Sequence, residues 1–88
     1  MAWQIEYSTT AKRALKKLDR QVARQILDYM SNQVANRPDP RSLGKALTGD
    51  LGGFWRYRVE DYRLICEIRD NQITVLVLKI GHRKMVYD

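Results

Sequence analysis

The stretch that decides the fold is Phe54-Trp55-Arg56-Tyr57-Arg58-Val59-Glu60-Asp61-Tyr62-Arg63, in which apolar residues and arginines alternate on either side of an acidic pair. Side chains alternate between the two faces of a strand, so this pattern predicts a β-hairpin with one apolar and one cationic face. A two-residue turn at the acidic pair sets Arg58 opposite Arg63 and Arg56 on the same face. Like charges placed opposite each other destabilise a strand pair, so the arrangement predicts an anionic ligand.

The length and charge of the chain restrict the kind of protein that contains this hairpin. The chain has 88 residues, enough for a single domain over 1–88 with one core. Sixteen Lys and Arg against ten Asp and Glu give a net charge of +6, which favours a polyanionic partner. A basic protein that has no anionic partner is the alternative on charge alone.

The expected compartment is the cytoplasm. Residues 1–7 contain no charged region leading into an apolar stretch, and the longest apolar run, residues 73–78, is far shorter than the ~20 residues of a membrane span. No membrane partner is therefore expected. The one cysteine, Cys66, lies among apolar residues in a predicted strand, which is typical of a small buried hydrophobe in a reducing compartment.

The N-terminal half predicts a strand and two helices. Residues 3–7 alternate apolar and polar side chains, as in a half-buried strand. Ser8 then caps a first helix, and Asp19 caps a second helix that Pro38 ends. Almost no loop separates the helices, so they should form a helical hairpin on one face of the sheet. The second helix should bury one stripe of side chains as core, with no chemical role: Val22, Ile26, Tyr29, Met30 and either Gln33 or Val34.

The remaining chain completes an α+β fold. Residues 37–53 are rich in Pro and Gly and should be a connection. Its Arg41 and Lys45 could extend the cationic surface, although simple solvation of these two charges is the favoured interpretation. The second hairpin strand continues to Ile68, and residues 73–80 form a nearly all-apolar third strand. The predicted fold is therefore an N-terminal strand and a two-helix hairpin packed on one face of a small, mainly antiparallel sheet, in the order β-α-α-β-β-β.

If the last strand lies beside the hairpin, a cluster of cations forms around a phenol and an imidazole. Guanidinium groups bind phosphate bidentately and stabilise charge, whereas an imidazole such as that of His82 suits proton transfer. Tyr87 could transfer a proton only if nearby cations lowered its pKa. Such a site could cleave RNA without a metal, and no metal or cofactor is expected; binding of RNA, DNA or an acidic protein without reaction is the alternative. The expected members are Arg56, Arg58, Arg63, His82, Arg83, Lys84 and Tyr87.

Segments in a fixed order along nearly the whole chain carry a resemblance to a known family. They are Ile5-Glu6-Tyr7-Ser8 with Ala11, Leu15-Lys16-Lys17-Leu18, Leu43-Gly44-Lys45-Ala46-Leu47, Trp55-Arg56-Tyr57-Arg58-Val59, Asp61-Tyr62-Arg63-Leu64-Ile65, and Gly81-His82-Arg83 with Val86-Tyr87. In their order and spacing, the chain resembles a toxin of the RelE/ParE superfamily from bacterial toxin-antitoxin modules, most of all the RelE branch.

The resemblance implies a ribosome-dependent mRNA endonuclease (an mRNA interferase) that cuts mRNA in the ribosomal A site, by attack of the 2′-hydroxyl on phosphate, and so inhibits translation. It implies a RelB-like antitoxin as partner, in a hetero-oligomer. Arg63 matches the arginine of the Tyr-Arg-Leu motif, Arg83 the arginine after the final strand, and Tyr87 the C-terminal tyrosine. With His82 these are the expected catalytic residues; Arg56, Arg58, Lys45 and Lys84 are the expected substrate-binding residues.

Two departures from the family pattern shape these expectations. Arg56 and Arg58 stand where the best-studied branch has lysines, and an arginine cannot plausibly give up its proton, so His82 or Tyr87 is the better candidate for the base. With only Asp88 after Tyr87, the tyrosine is expected to be held in place on the ribosome or by the antitoxin. The alternative functions are a ParE-like inhibitor of DNA gyrase and a basic RNA-binding module.

Overall fold

The computed structural model describes residues 2–82, which form two helices and a five-stranded sheet. The helices are α1 (Thr9–Lys17) and α2 (Arg20–Asp28), and a π-helical turn (Tyr29–Val34) continues α2. The strands are β1 (Gln4–Tyr7), β2 (Lys45–Ala46), β3 (Trp55–Val59), β4 (Tyr62–Arg69) and β5 (Thr74–His82).

The helical hairpin begins at the two predicted caps. The Ser8 hydroxyl accepts a hydrogen bond from the backbone N–H of Ala11 at 3.0 Å, and the Asp19 carboxylate accepts one from Gln21 at 3.0 Å. In the stripe of α2 and its π-helical turn, Ile26, Met30 and Val34 are fully buried, and Val34 rather than Gln33 closes it. Within residues 2–82, no helix has the length and apolar character to cross a membrane.

The sheet is mainly antiparallel and has the strand order β1-β5-β4-β3-β2, which confirms the predicted α+β fold. β1 pairs with β5 in parallel, and the other neighbours are antiparallel. The nearly all-apolar strand is β5, which lies between β1 and β4, as its composition indicates. β2 lies within the predicted connection and was not expected, because two residues are too short to show an alternating pattern.

The core lies between the helical hairpin and one face of the sheet. Tyr57, Leu64 and Val75 are fully buried there, and the Tyr57 hydroxyl donates a hydrogen bond to the carbonyl of Pro40 at 2.7 Å. Cys66 is also fully buried, and this burial raises the pKa of its thiol. Its expected role as a small apolar side chain is confirmed.

A β-bulge in β5 reverses the alternation of its side chains. Ile65 of β4 pairs with Lys79, whereas the next residue, Cys66, pairs with Val77, so Leu78 is the extra residue. Ser8 stabilises this irregularity, because its hydroxyl donates to the carbonyl of Leu78 at 2.7 Å. Beyond the bulge, each residue of β5 faces the side opposite to the one that strict alternation from the start of the strand predicts.

Candidate functional site

The predicted hairpin register is confirmed. Arg58 pairs with Arg63 and Val59 with Tyr62, across a turn in which Glu60 has a positive φ of 53°. Tyr57 and Val59, on the other face, belong to the core, so their predicted structural role is confirmed as well.

Two rows of basic residues cross the face of the sheet that is turned away from the helices. In one row, Lys45 pairs with Arg56, Arg56 with Ile65, and Ile65 with Lys79. In the other row, Arg58 pairs with Arg63. We call this surface the cationic face, and its members are Lys45, Arg56, Arg58, Arg63 and Lys79.

The arginines of the cationic face differ in their exposure. Arg58 is exposed and Arg56 is half-buried, whereas Arg63 is only 6 % exposed. Arginine is rarely buried to this degree, and the packing around it fixes its position in the sheet. The alternating pattern identified the face on which Arg63 lies but did not indicate its burial.

Lys79 is a member of the cationic face that the sequence analysis missed. It lies in the apolar run, and alternation counted from Val75 would direct it into the core. The bulge at Leu78 places it instead beside Ile65, on the exposed outer face. A bulge leaves no periodic signal, so only the presence of a charge in an apolar strand could have indicated this placement.

The same bulge determines the face of the sheet on which His82 lies. The register pairs His82 with Tyr62 and Ile80 with Leu64, which puts the imidazole on the helix side of the sheet. Its ring lies edge-on to that of Tyr62, with centroids 5.4 Å apart. The residue of β5 opposite Arg63 is Gly81. His82 therefore lies on the face opposite the arginines, and its place in the site and its catalytic role stay predictions.

Three other predicted members, Arg83, Lys84 and Tyr87, lie outside the described residues. The expectation about how Tyr87 is held concerns the same part of the chain. Their roles stay predictions.

A small cavity opens beside the cationic face where β2 begins. It has a volume of about 210 Å³ and is lined by Tyr29, Gly44, Lys45, Arg56 and Arg58. The sequence analysis placed Tyr29 only in the core and gave Gly44 no role. No periodic pattern could reveal this contact, because it joins a helix end to a loop and a strand edge.

Gly44 allows the loop to approach β3 closely. Its φ is +74°, and a Cβ atom there would collide with the carbonyl oxygen of Arg56 and lie 2.8 Å from Nε1 of Trp55. The same indole nitrogen donates a hydrogen bond to the carbonyl of Leu43 at 2.6 Å. These contacts hold the backbone of the loop against the strand that carries Arg56 and Arg58.

Arg41 forms an ion pair with Asp70. Its guanidinium donates to both carboxylate oxygens of Asp70, at 3.0 and 2.8 Å, and this pairing lowers the pKa of the Asp70 carboxyl. The ion pair joins the loop before β2 to the turn between β4 and β5.

Among residues 2–82, no cluster of three or more His, Cys, Asp or Glu side chains could hold a metal ion. The chemistry available on the cationic face is the binding and stabilisation of anions.

Comparison with known proteins places the chain in a family. A sequence model described as "ParE toxin of type II toxin-antitoxin system" matches residues 5–87. Toxin RelG of Mycobacterium tuberculosis is 30% identical over 87 residues, which cover 99% of this chain and 98% of RelG. The chain belongs to the RelE/ParE family of type II toxins. This RelE-like toxin is also similar to Toxin RelE of the same organism, at 29% identity over 97% of this chain and 86% of the relative.

Solved structures agree with this family. The toxin superposes on a chain of the RelBE2 toxin-antitoxin complex of M. tuberculosis with a TM-score of 0.85, at 29% identity, over 94% of this chain and 93% of that one. It superposes on a chain of the intact Escherichia coli RelBE toxin-antitoxin complex with a TM-score of 0.70, at 17% identity, over 92% and 96% of the two chains. The second likeness is one of fold alone.

Proposed function

We propose that this toxin is an mRNA interferase, an endoribonuclease that cuts mRNA in the A site of the ribosome and thereby stops translation. The observation that carries the proposal is the pairing of Arg58 with Arg63, beside Arg56, on the cationic face. Neighbouring cations repel one another, and a polyanion bound across them offsets that repulsion. Membership of a toxin family whose relatives include RelG and RelE supports the same activity.

In the proposed reaction, the ribose 2′-hydroxyl attacks the adjacent phosphorus and the bond to the 5′-oxygen breaks. Negative charge accumulates on the non-bridging oxygens as the phosphorane-like transition state forms. The arginine pair would stabilise that charge, and Arg63, held by its burial, needs little reorganisation to do so. The scissile phosphate would lie between Arg58 and Arg63, and Arg56, Lys45 and Lys79 would bind the flanking RNA backbone.

Proton transfer has to come from other groups, because guanidinium groups stay charged at any pH at which the protein is folded. We propose that His82 and Tyr87 share this role, with Arg83 and Lys84 completing the anion site. His82 starts from the helix side of the sheet, with its ring against Tyr62. It would have to turn around the end of β5 to reach a phosphate on the cationic face.

The test is a comparison of Arg58→Gln with Arg13→Gln, which removes the same charge from the exposed side of α1. On ribosomes programmed with mRNA, Arg58→Gln should slow single-turnover cleavage by about 100-fold, the usual effect of removing one group that stabilises transition-state charge. Arg13→Gln should cleave at the rate of the parent toxin. Equal rates for all three proteins would refute the assignment of the site.

Inhibition of DNA gyrase is the second candidate function, because the sequence model that matches is that of the ParE toxins. The two functions leave different damage in a growing cell. An mRNA interferase leaves transcripts cut at codon-related positions, whereas a gyrase inhibitor leaves broken DNA and induces DNA repair. Broken DNA together with intact transcripts would decide for the gyrase inhibitor. A basic module that only binds RNA would leave both intact.

We further propose that a RelB-like antitoxin binds this toxin, which acts as one domain over residues 1–88, in a cytoplasmic hetero-oligomer. The RelBE complexes with the same fold support this partner. A groove of about 430 Å³ runs along the helical hairpin, and Leu27 beside it is 41% exposed. Its apolar floor and basic rim fit an amphipathic acidic helix, a segment that would suit an antitoxin. The floor contains Leu15, Leu18 and Leu27, and the rim contains Lys16, Arg20 and Arg24.

Copurification with the antitoxin of the same module tests this surface. Leu27→Gln removes apolar contact area from the groove without disturbing a fully buried residue, so it should weaken the complex and leave the fold intact. Gln25→Ala, at an exposed position of α2 outside the groove, is the control. Equal affinity of the two variants for the antitoxin would place its helix elsewhere.

A further inference from the structure

The cavity where β2 begins combines an aromatic wall with a cationic wall. Tyr29 supplies the aromatic side, and Lys45, Arg56 and Arg58 supply the cations. β2 pairs only with Trp55 and Arg56, so the rest of β3 has no second neighbour on this side within residues 2–82. The cavity is therefore open at the edge of the sheet and continuous with the cationic face.

The core holds Tyr29 in this position. It is the first residue of the π-helical turn, and Met30 next to it is fully buried. The ring of Tyr29 meets that of Tyr57 edge-on, with centroids 6.3 Å apart and planes at 61°. Burial raises the pKa of the Tyr29 phenol, although Arg37 acts to lower it, so the ring is neutral at physiological pH. A fixed, neutral aromatic ring at the rim of a basic site is suited to stacking.

We propose that this cavity binds one unpaired nucleotide of the RNA, with the base against the ring of Tyr29 and the phosphate at Arg56, Arg58 and Lys45. The proposal rests on the function proposed above and adds a base-binding subsite to it. Single-stranded RNA offers both groups that the cavity can bind, since its unstacked bases pack on aromatic rings while cations hold its backbone.

The size of the cavity limits the ligand to a small one. Its 210 Å³ lies below the roughly 300–1,000 Å³ of pockets that enclose drug-sized ligands. A single base with its phosphate at the cationic rim therefore suits it better than two stacked bases. A base paired in a duplex would not be free to enter, so the subsite selects for single strands.

The experiment compares two oligomers of equal charge. One is a fluorescent single-stranded RNA hexamer with 2′-O-methyl groups, which cannot be cleaved, and the other is its abasic counterpart with the same phosphates. Tyr29→Leu should weaken binding of the first by about 10-fold or more, the usual effect of losing one base–aromatic stack, and leave the second unchanged. Tyr29→Phe keeps the ring and should bind both oligomers as the parent toxin does. Arg56→Gln should weaken binding of both oligomers equally.

Equal affinity of Tyr29→Leu and the parent toxin for the hexamer with bases would overturn the proposal. Equally weakened binding of both oligomers would also overturn the proposal, because Tyr29 would then only hold the cationic side chains in position. If Tyr29→Leu does not fold, photocrosslinking of the unaltered toxin to a hexamer containing 5-iodouridine decides the matter. A crosslink at Tyr29 supports the subsite, and crosslinks confined to other residues refute it.

Neither measurement depends on cleavage, so the two proposals can fail separately. A toxin that stacks a base on Tyr29 but cuts no mRNA would retain the nucleotide subsite and lose the nuclease. A toxin that cuts mRNA on ribosomes, but whose affinity for RNA does not depend on Tyr29, would retain the nuclease and lose the subsite.

Discussion

At the scale of single residues, the site depends on a position with no side chain. Gly44 and Gly49 both have a positive φ, of 74° and 66°, but their surroundings differ. Around Gly44 a Cβ would meet Arg56, Trp55 and Tyr57, whereas around Gly49 it would meet nothing within 4 Å. Alanine substitutions at the two glycines therefore distinguish the free-energy cost of the backbone conformation from the free-energy cost of close packing.

Gly44→Ala should lower the free energy of unfolding by more than Gly49→Ala does. The left-handed conformation alone costs about 1–2 kcal/mol for alanine, and this should be the whole effect at Gly49. At Gly44 the collision with the backbone of Arg56 should add roughly 1–3 kcal/mol. Chemical denaturation of both variants measures the difference. Equal losses would show that the loop moves away from β3 without cost.

The ion pair of Arg41 with Asp70 predicts a dependence of stability on pH. The hydrogen bond from Arg41 lowers the pKa of the folded Asp70 carboxyl below its ordinary value of 3.8. The pair therefore stabilises the fold fully above that value, and the contribution is lost as the pH falls through the lowered pKa. The effect should be small, because Asp70 is exposed.

Arg41→Gln removes the guanidinium and should return the Asp70 carboxyl pKa to its ordinary range, as NMR titration would show. The variant should be less stable than the parent toxin near pH 7, and the difference should disappear in acid. Asp50→Asn, a change of one exposed carboxylate elsewhere, is the control for loss of charge. A difference in stability that persists once Asp70 is protonated in acid would indicate a role for Arg41 beyond the ion pair.

At the scale of elements, the β-bulge determines which side chains share the cationic face. The alternation of residues 54–63 and the turn between them were enough to predict the hairpin, its register and its cationic side. In β5 the same argument fails after Leu78, where it would keep Lys79 in the core and leave His82 beside the arginines. Strand periodicity predicts side-chain faces only as far as the first bulge. At this bulge the carbonyl of Leu78 accepts a hydrogen bond from Ser8, which is distant in sequence.

Ser8→Ala should cost more than the loss of an ordinary helix cap. The hydroxyl of Ser8 both caps α1 and donates to the carbonyl of Leu78. Removal of the cap costs about 1 kcal/mol, and an unsatisfied part-buried carbonyl adds roughly 1–3 kcal/mol. Asp19→Ala, which removes an exposed cap with a single bond, is the matched control and should cost about 1 kcal/mol. If thermal unfolding shows the same loss of stability in both variants, the bulge does not depend on Ser8.

At the scale of the whole molecule, the basic residues behind the net charge of +6 lie on both sides of the sheet. The exposed side of α1 carries Lys12, and the cationic face carries Lys79. The composition predicts a polyanionic partner but does not indicate which of these lysines would contact it. That distinction comes from the packing of the helices against one face of the sheet.

Lys79→Gln and Lys12→Gln test this distribution through the salt dependence of RNA binding. Each phosphate contact with a single strand contributes about 0.7 to the slope of log affinity against log salt concentration. Lys79→Gln should reduce that slope by about 0.7, because Lys79 lies on the cationic face. Lys12→Gln should leave it unchanged. If only Lys12→Gln reduced the slope, the RNA would bind to the helix side instead.

The parallel pairing of β1 with β5 also determines when the fold can form. Ser8 and Leu78, which meet at the bulge, are 70 positions apart in the sequence. During synthesis, β1 and the start of α1 cannot contact β5 until β5 has left the ribosomal tunnel. Contacts between such distant residues form late in folding. Until β5 pairs with β4, the row that runs through Lys45 and Arg56 lacks Lys79. The order of synthesis therefore delays completion of the cationic face until β5 has been made and has paired with β4.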